Sequence, residues 1–387
     1  MTRDNHLPYS NLINTNKLSQ VFDDTSNSYK FFWLKAIIKR ADSKPIDTIE
    51  NIVCDMITQT YYMVNECNLS LGPNDKLEEV SKYIYETYRI PTNIDSQELL
   101  IKFRNAGVFE DEYVKDIVNK MKTLVPFCLL SPFVSVGSDV KKYSPKNINI
   151  FNDLYEKSKK DSKDLLPYHF GIANGIKTEI VLDEYFTDYI VNESKIIQDF
   201  CTYNLIYYLQ RRNPNVPGII NKIMPQLDRT IDANIKRFYQ YVIEVDKSGM
   251  RDIYSDVLLK DVVENNDLSI DHFVPWTYVA NNEIWNLTPT TNSVNSSKSN
   301  NLPKWNKYFD KFVNQKWGIY TIISENAKVK DQFNKIKNKY LNVSEIIDLY
   351  NLQSVEKNKF INCYEKNIRT VYNAAERNGF KTGWEYN

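Results

Sequence analysis

The sequence predicts a mainly α-helical protein, because apolar residues recur at helical spacing through most of the first 215 residues. Hydrophobic residues make up 42% of the chain and charged residues 25%, which is typical of globular domains. With 387 residues, the chain is long enough for two or three domains that each bury their own core. Its longest apolar stretch, around residues 125–136, is interrupted by Pro126, Ser131 and Pro132, so we expect no membrane span and no membrane partner.

Five helices are predicted in the first 125 residues. They cover Phe31–Ile38, Ile49–Ile57, Lys76–Tyr88, Asp95 or Ser96 to Gly107, and Glu110–Leu124. The run Asp47-Thr48-Ile49-Glu50 resembles a capping box that starts the second of them. These apolar stripes are typical of helices that pack in a hydrophobic core, so we assign them no catalytic or binding role.

The segment 137–167 is polar, and a linker or a solvated helix fits it equally well. Lys177–Leu182 is rich in β-branched residues and predicts a short strand, and Lys195–Gln210 predicts a long helix that ends before Pro214. We therefore predict a mostly helical domain over residues 1–215. The N-terminus has no apolar run before Leu7, so we expect no secretory signal and a cytoplasmic location.

Cysteine and histidine are scarce in ways that restrict the chemistry. The five cysteines are scattered and form no C-x-x-C pair, so neither a disulfide framework nor a cysteine-based zinc site is predicted. Only three histidines, His6, His169 and His272, can act as a base near neutral pH.

Positive charge is concentrated near the C-terminus. Lysine plus arginine equals aspartate plus glutamate at 49 each, but the chain from Lys298 onward has 16 basic and 9 acidic residues. This asymmetry is typical of local nucleic-acid contact, and chance clustering of solvated lysines is the alternative. We predict a basic helical region over residues 306–387.

One stretch carries a specific pattern of polar residues. It contains Asp271-His272-x-x-Pro275, then Asn286-Leu287, then Asn295-x-x-Lys298, and the last three polar positions fall 14, 23 and 26 residues after His272. This pattern resembles the HNH endonuclease family, whose motif is D-H-x-x-P, N-L and N-x-x-K at the same spacing. Residues 295–303 are most similar to the HNH domain of CRISPR effector nucleases.

The resemblance implies a small ββα-metal module within residues 216–305, with its core at 252–303. Its hairpin is expected at roughly Asp252–Leu259 and Leu268–Phe273, and its helix at about Ser293–Asn300. Many members brace this module with zinc on two C-x-x-C pairs, which this sequence lacks, so we expect no structural zinc. We expect apolar packing to replace it, by Phe273, Trp276, Trp285, Leu287, Val294 and Leu302.

Hydrolysis of a phosphodiester needs a base, a cation and groups that position both. Asp271 and Asn295 supply the hard oxygen ligands that Mg²⁺ or Mn²⁺ prefers, and His272 supplies a base with a reference pKa of about 6.5. Lys298 lies three residues after Asn295, so on a helix the two share a face, and Lys298 is predicted to contact phosphate. By resemblance, Asn286 orients His272.

The leading hypothesis is therefore a metal-dependent endonuclease that cuts DNA, and the resemblance implies products with 3′-hydroxyl and 5′-phosphate ends. One alternative is a nucleic-acid-binding or assembly protein that keeps the module for structure alone, and another is an RNA endonuclease, because phosphate contacts do not distinguish the sugars. For residues 1–215 we expect a regulatory protein partner. By analogy, a restriction or phage-defence role is the hypothesis for the whole chain.

Overall fold

The computed structural model describes residues 7–160, 165–224, 230–352 and 354–386, and it confirms the mainly α-helical fold with a small ββα module. The described residues fall into two compact units. The first lies within Met1–Pro214 and Lys222–Leu227, and the second within Asn215–Asn221 and Asp228–Asn387. No helix among the described residues is both long and apolar enough to cross a membrane.

The helices of the first unit are α1 (Thr15–Ser19), α2 (Tyr29–Ala41), α3 (Ile49–Asn65), α4 (Lys76–Tyr88), α5 (Ser96–Asn105), α6 (Glu112–Lys122), α7 (Val125–Cys128), α8 (Pro145–Ser158), α9 (Glu184–Asn192) and α10 (Ser194–Arg212). Its strands are β1 (Ile46–Thr48), β2 (Tyr168–Phe170) and β3 (Glu179–Leu182). They form one antiparallel sheet in the order β1-β3-β2.

The helices of the second unit are α11 (Ala233–Val245), α12 (Leu259–Glu264), α13 (Trp276–Val279), α14 (Asn292–Lys298), α15 (Trp305–Glu325), α16 (Ala327–Tyr340), α17 (Ser344–Asn351) and α18 (Lys357–Arg377). Its strands, β4 (Leu268–His272) and β5 (Leu287–Thr291), pair antiparallel. Apart from residues 222–227, which belong to the first unit, the predicted regions 216–305 and 306–387 lie in this unit, which has one continuous apolar core.

Helix ends in the first unit follow local capping chemistry. The side chain of Thr48 accepts a hydrogen bond from the backbone N–H of Asn51 and starts α3, and Asp95 starts α5 in the same way. The predicted helices at 76–88 and 195–210 are confirmed as α4 and α10. Half of the polar segment 137–167 forms α8, and residues 161–164 of that segment lie outside the described residues.

The predicted position of the hairpin is wrong in one strand. Residues 252–258 form turns with a single bridge between Arg251 and Leu258, and β4 pairs instead with β5, which the sequence did not predict. Pro289 lies in the middle of β5, and proline normally argues against a strand because it has no N–H to donate. A two-stranded sheet leaves one edge of each strand unpaired, which accommodates proline.

Apolar packing around the hairpin agrees with the expectation for five of the six side chains named for it. Phe273, Trp285, Leu287, Val294 and Leu302 are buried. Trp276 is half-buried.

The turns that precede β4 are held by one buried carboxylate, that of Asp252. Its Oδ1 accepts a hydrogen bond from the backbone N–H of Tyr254 at 3.0 Å. Its Oδ2 accepts from the hydroxyls of Ser255 at 2.7 Å and Thr290 at 2.8 Å. Burial raises the pKa of Asp252, and these hydrogen bonds oppose that rise. Because Thr290 belongs to β5, Asp252 fastens the turns to the sheet.

Replacing Asp252 should therefore destabilise the second unit. The Asp252→Ala variant leaves three donors without this acceptor, two of them buried, and we expect its free energy of unfolding to fall by about 3 kcal/mol. Urea unfolding followed by circular dichroism measures the change. The exposed Glu264→Ala in the same unit is the control, with an expected change below about 0.5 kcal/mol. Equal stabilities of the two variants would contradict the anchoring role of Asp252.

Candidate active site

Strand β4 and helix α14 lie against each other and bring the predicted site residues into one module. In the antiparallel pair of β4 and β5, His272 stands opposite Leu287. Helix α14 begins directly after β5, and the side chain of Thr291 accepts a hydrogen bond from its first turn. Asn295 and Lys298 of α14 both contact β4, which agrees with their expected position on one helix face.

The carboxylate of Asp271 is buried, and both of its oxygens are hydrogen-bonded. Oδ1 accepts from the ammonium of Lys298 at 3.1 Å, and Oδ2 accepts from the hydroxyl of Tyr254 at 2.8 Å. The same ammonium donates to the backbone carbonyl of His272 at 2.6 Å. Asp271 is 3% exposed and Lys298 is 0% exposed. In this arrangement the ammonium of Lys298 is enclosed between the strand and the helix, and its contact with phosphate stays a prediction.

Burial shifts the pKa values of the two side chains of this pair in opposite directions. Desolvation raises the pKa of Asp271 and lowers the pKa of Lys298, because each charged form loses its water. The opposite charge of Lys298, followed by the hydroxyl of Tyr254, works against the rise at Asp271. Each charge thus offsets the cost of burying the other, and neither would be stable at this place alone.

The imidazole of His272 is held by the loop that follows β4. Its Nε2 lies 3.1 Å from the backbone carbonyl oxygen of Asn281 and 3.0 Å from Oδ1 of Asn282. Two oxygen acceptors around Nε2 favour the tautomer that carries its proton on Nε2. The lone pair of the neutral ring then lies on Nδ1, which makes Nδ1 the basic atom of His272.

The loop that holds His272 is fastened in turn to the rest of the unit. The buried carboxylate of Glu283 accepts hydrogen bonds from the backbone N–H of Asn342, at 2.9 Å, and from the side-chain amide of the same residue. On the other side, the amide of Asn221 donates to the carbonyl of Ala280 at 3.3 Å. Gly218 has a φ of +61°, and a Cβ there would lie 2.9 Å from the Cβ of Ala280, so only glycine fits this approach.

Asn286 fastens the backbone that leaves β4. Its Oδ1 accepts from the N–H of Val274 at 2.8 Å, and its Nδ2 donates to the carbonyl of Val274 at 2.8 Å. Its own carbonyl accepts from the N–H of Phe273 at 2.8 Å. These three bonds, made by a fully buried residue, fix the chain direction immediately after His272. The geometry suits an orienting role for Asn286, which stays a prediction.

Asn295 lies beside the face of β4 that carries Asp271. Its Nδ2 donates to Oγ of Ser269 at 2.8 Å, and Ser269 stands two residues before Asp271, so the two share a face of the strand. The amide of Asn295 is half-buried.

The donors beside β4 suit a hard divalent cation. The Asp271 carboxylate and the Asn295 amide oxygen are ligands of the type that Mg²⁺ takes, with water and phosphate in the remaining positions. Within the described parts of the chain, no group of three or more His, Cys, Asp or Glu side chains could hold a metal ion. In the arrangement described, the ammonium of Lys298 is the cation at Asp271 Oδ1. The donor set therefore fits a divalent cation on condition that Lys298 releases Asp271.

Sequence reasoning missed two residues of this site. Tyr254 precedes Asp271 by 17 residues, and nothing in the sequence connects its hydroxyl to that carboxylate. Asn282 follows His272 by 10 residues, and the only signal for it was a pair of asparagines between Pro275 and Asn286.

Comparison with known proteins gives one finding. Residues 252–304 match the family model described as HNH endonuclease, and this segment contains Asp252, Tyr254 and all five predicted site residues. No curated protein and no solved structure matches the chain. The predicted resemblance of this segment to the HNH endonuclease family is confirmed, and the closer resemblance to CRISPR effector nucleases stays a prediction.

The buried pair can be tested by its effect on stability. The Lys298→Met variant leaves the Asp271 carboxylate buried without a counter-charge, and we expect it to lower the free energy of unfolding by about 3 to 5 kcal/mol. The double variant Asp271→Asn/Lys298→Met should cost less than the sum of the two single variants, as urea unfolding would measure. Lys307→Met, which removes an exposed pair with Glu385, is the control and should leave the free energy of unfolding close to that of the parent protein. Additive single effects would mean that the two buried ions do not support each other.

Proposed function

Since residues 252–304 match the HNH endonuclease family, we propose that this protein is a metal-dependent endonuclease that hydrolyses phosphodiester bonds in DNA. The observation that carries the proposal is the arrangement around β4. An oriented imidazole stands at the end of the strand, and a carboxylate, an amide and an ammonium lie between the strand and α14. A general base, hard oxygen ligands and a positive charge are the groups that this hydrolysis requires.

His272 is proposed as the general base. Nδ1 takes a proton from a water molecule while Nε2 keeps its proton for the oxygens of Asn281 and Asn282. The oxygen of that water forms a new bond to phosphorus, and the bond from phosphorus to the 3′ oxygen breaks. The 3′ oxygen takes up a proton, which leaves 3′-hydroxyl and 5′-phosphate ends. Asn286 keeps the backbone after His272 in place during this step.

Asp271 and Asn295 are proposed to hold the cation. A Mg²⁺ or Mn²⁺ ion bound there would neutralise the charge that develops on the phosphate and on the leaving oxygen. Lys298 is proposed to exchange Asp271 for a phosphate oxygen when that ion binds. The exchange keeps the charges balanced, because a divalent cation replaces the ammonium at the carboxylate.

DNA is the proposed substrate because of the basic C-terminal portion and the similarity to DNA-cutting members of the family. Parallel digestion of DNA and RNA oligonucleotides of matched sequence tests this choice. Cleavage of RNA alone would replace it with the RNA alternative.

We propose a restriction or phage-defence role for the whole chain, with the first unit binding a regulatory protein partner. The support is that a nuclease module is joined here to a larger helical unit. Phage plating efficiency on cells that express the parent protein or Asp271→Asn tests the role. Equal plating on both would remove it.

Replacing His272 should abolish cleavage. We expect His272→Ala to lower the rate of nicking of supercoiled plasmid by a factor of about 10² to 10⁴, because the base is lost while the fold is kept. Gel assays with Mg²⁺, Mn²⁺ or EDTA measure the rate, and EDTA should stop cleavage by the parent protein. His169→Ala, a histidine of the first unit, is the matched control and should cut like the parent protein.

Two results would contradict this assignment. Cleavage by a pure His272→Ala preparation at the parent rate would mean that another group is the base. DNA binding without cleavage by the parent protein in every divalent metal would favour the non-cleaving binding or assembly protein.

Asn282 offers a finer test of how His272 is positioned. The Asn282→Ala variant removes one of the two oxygens around Nε2, and we expect kcat to fall about 10-fold with KM nearly unchanged. The neighbouring Asn281→Ala is the control, because it contacts Nε2 through its backbone carbonyl, which alanine keeps. An equal loss in both variants would show that the loop as a whole, rather than the Asn282 amide, controls the rate.

A further inference from the structure

The exposed face of α16 is strongly basic. In 14 residues this helix has five lysines and one acidic residue. Its buried side is formed by Val329, Phe333 and Ile336, which leaves the lysines on the remaining surface. Lys328, Lys335 and Lys339 lie on the flank of α16 that is turned toward α11, and we call these three side chains the lysine face. Lys330 and Lys337 lie on the opposite flank, where Lys337 donates a hydrogen bond to Asn351 of α17.

Carboxylates neutralise only part of the lysine face. Lys335 pairs with Asp331 at 2.9 Å, and Lys339 pairs with Asp232 at 3.3 Å. The ammonium of Lys328 lies over the ring of Tyr241, 4.3 Å from its centre. Exposed pairs of this kind are worth little and exchange readily for other anions.

A second helix extends the same positive surface. Lys328 at the start of α16 meets Tyr241 near the end of α11, and Tyr340 at the end of α16 donates a hydrogen bond to Asp232 just before α11. The two helices are therefore antiparallel neighbours. Arg237 is exposed and precedes Tyr241 by one helical turn, so it lies on the α11 face that borders the lysine face.

The C-terminal end of α16 is connected to the nuclease site by hydrogen bonds. Asn342 stands two residues after the last residue of α16, and it donates two hydrogen bonds to Glu283. Glu283 follows Asn282, whose side chain contacts Nε2 of His272. A chain of direct contacts thus connects the end of α16 to the proposed base.

We propose that the lysine face of α16, together with Arg237, holds the phosphate backbone of double-stranded DNA beside the nuclease site. The proposal rests on the proposed function and names the surface that this function needs. The lysine face spans 11 residue steps from Lys328 to Lys339, which is about 16 Å along a helix. One DNA strand presents about five phosphates over that length. Lysine contacts to phosphate carry no sequence information, so this surface would bind any duplex and place it for cleavage.

Neutralising part of the lysine face tests the proposal. We compare the His272→Ala protein, which cannot cut, with the same protein that also carries Lys328→Gln/Lys335→Gln/Lys339→Gln, for binding to two DNA duplexes of unrelated sequence. We expect Kd to rise about 10-fold for both duplexes at moderate salt. The plot of log Kd against log salt, from about 50 to 200 mM, should become shallower by about 2 to 3.

A matched control separates this surface from a general effect of charge. Lys102, Lys115 and Lys120 in the first unit are 44%, 43% and 55% exposed and pair with acids on their own helices. Changing these three to Gln removes the same charge, and Kd and the salt slope should stay as in the parent. Circular dichroism checks that both triple variants remain folded.

The outcomes distinguish this proposal from the proposed function. If the parent nicks plasmid in a His272-dependent manner and the α16 triple variant binds DNA with the parent Kd and salt slope, the surface is wrong and the nuclease assignment stands. If the parent protein and the α16 triple variant both fail to bind nucleic acid, and the parent also cuts none, the proposed surface and the proposed function are both wrong. A loss of binding to duplex RNA with unchanged binding to duplex DNA would overturn the choice of DNA.

Discussion

The buried ion pair between Asp271 and Lys298 is the interaction on which the rest of the module depends. Two charges removed from water are stable only while they stay together, so the pair fixes the distance between β4 and α14. The same ammonium holds the carbonyl of His272, which places the end of the strand and therefore the imidazole. Tyr254 satisfies the remaining oxygen of Asp271. A change in any one of these groups therefore alters the positions of the others.

Other buried polar groups stabilise the module, whose sequence contains no C-x-x-C pair. Asp252 fastens the turns before β4, and Asn286 fastens the chain after it. Lys316 of α15 donates to the carbonyls of Ile284 and Leu287, although burial lowers its pKa to about 7. Such groups bind only in well-defined directions, so they specify one loop geometry more strictly than apolar packing alone. Apolar side chains fill the remaining space around them.

The chain has equal numbers of basic and acidic residues, but they are distributed unevenly over the structure. The C-terminal surplus of positive charge that the sequence shows is concentrated largely on one helix, α16, whose end is hydrogen-bonded to the loop that holds His272. The charges of the site itself are buried and paired, so they contribute little to the surface. Exposed charge attracts a polyanion from a distance, whereas buried charge acts on the atoms in contact with it. Lysine has both roles in this protein, because the lysine face of α16 is exposed and Lys298 is buried against Asp271.

The sequence by itself determined the fold class and most helix positions, and it predicted the five site residues that the structure places in one module. Helical periodicity, capping residues and the spacing from His272 are local properties, and α4 has the predicted bounds for that reason. It did not reveal β5, because Pro289 argues against a strand until a partner strand is present. Only the tertiary structure decided that Lys298 contacts Asp271, that Tyr254 completes the pair and that Asn282 holds the imidazole. These contacts join residues 10 to 27 positions apart, and such distances close only when the helices pack.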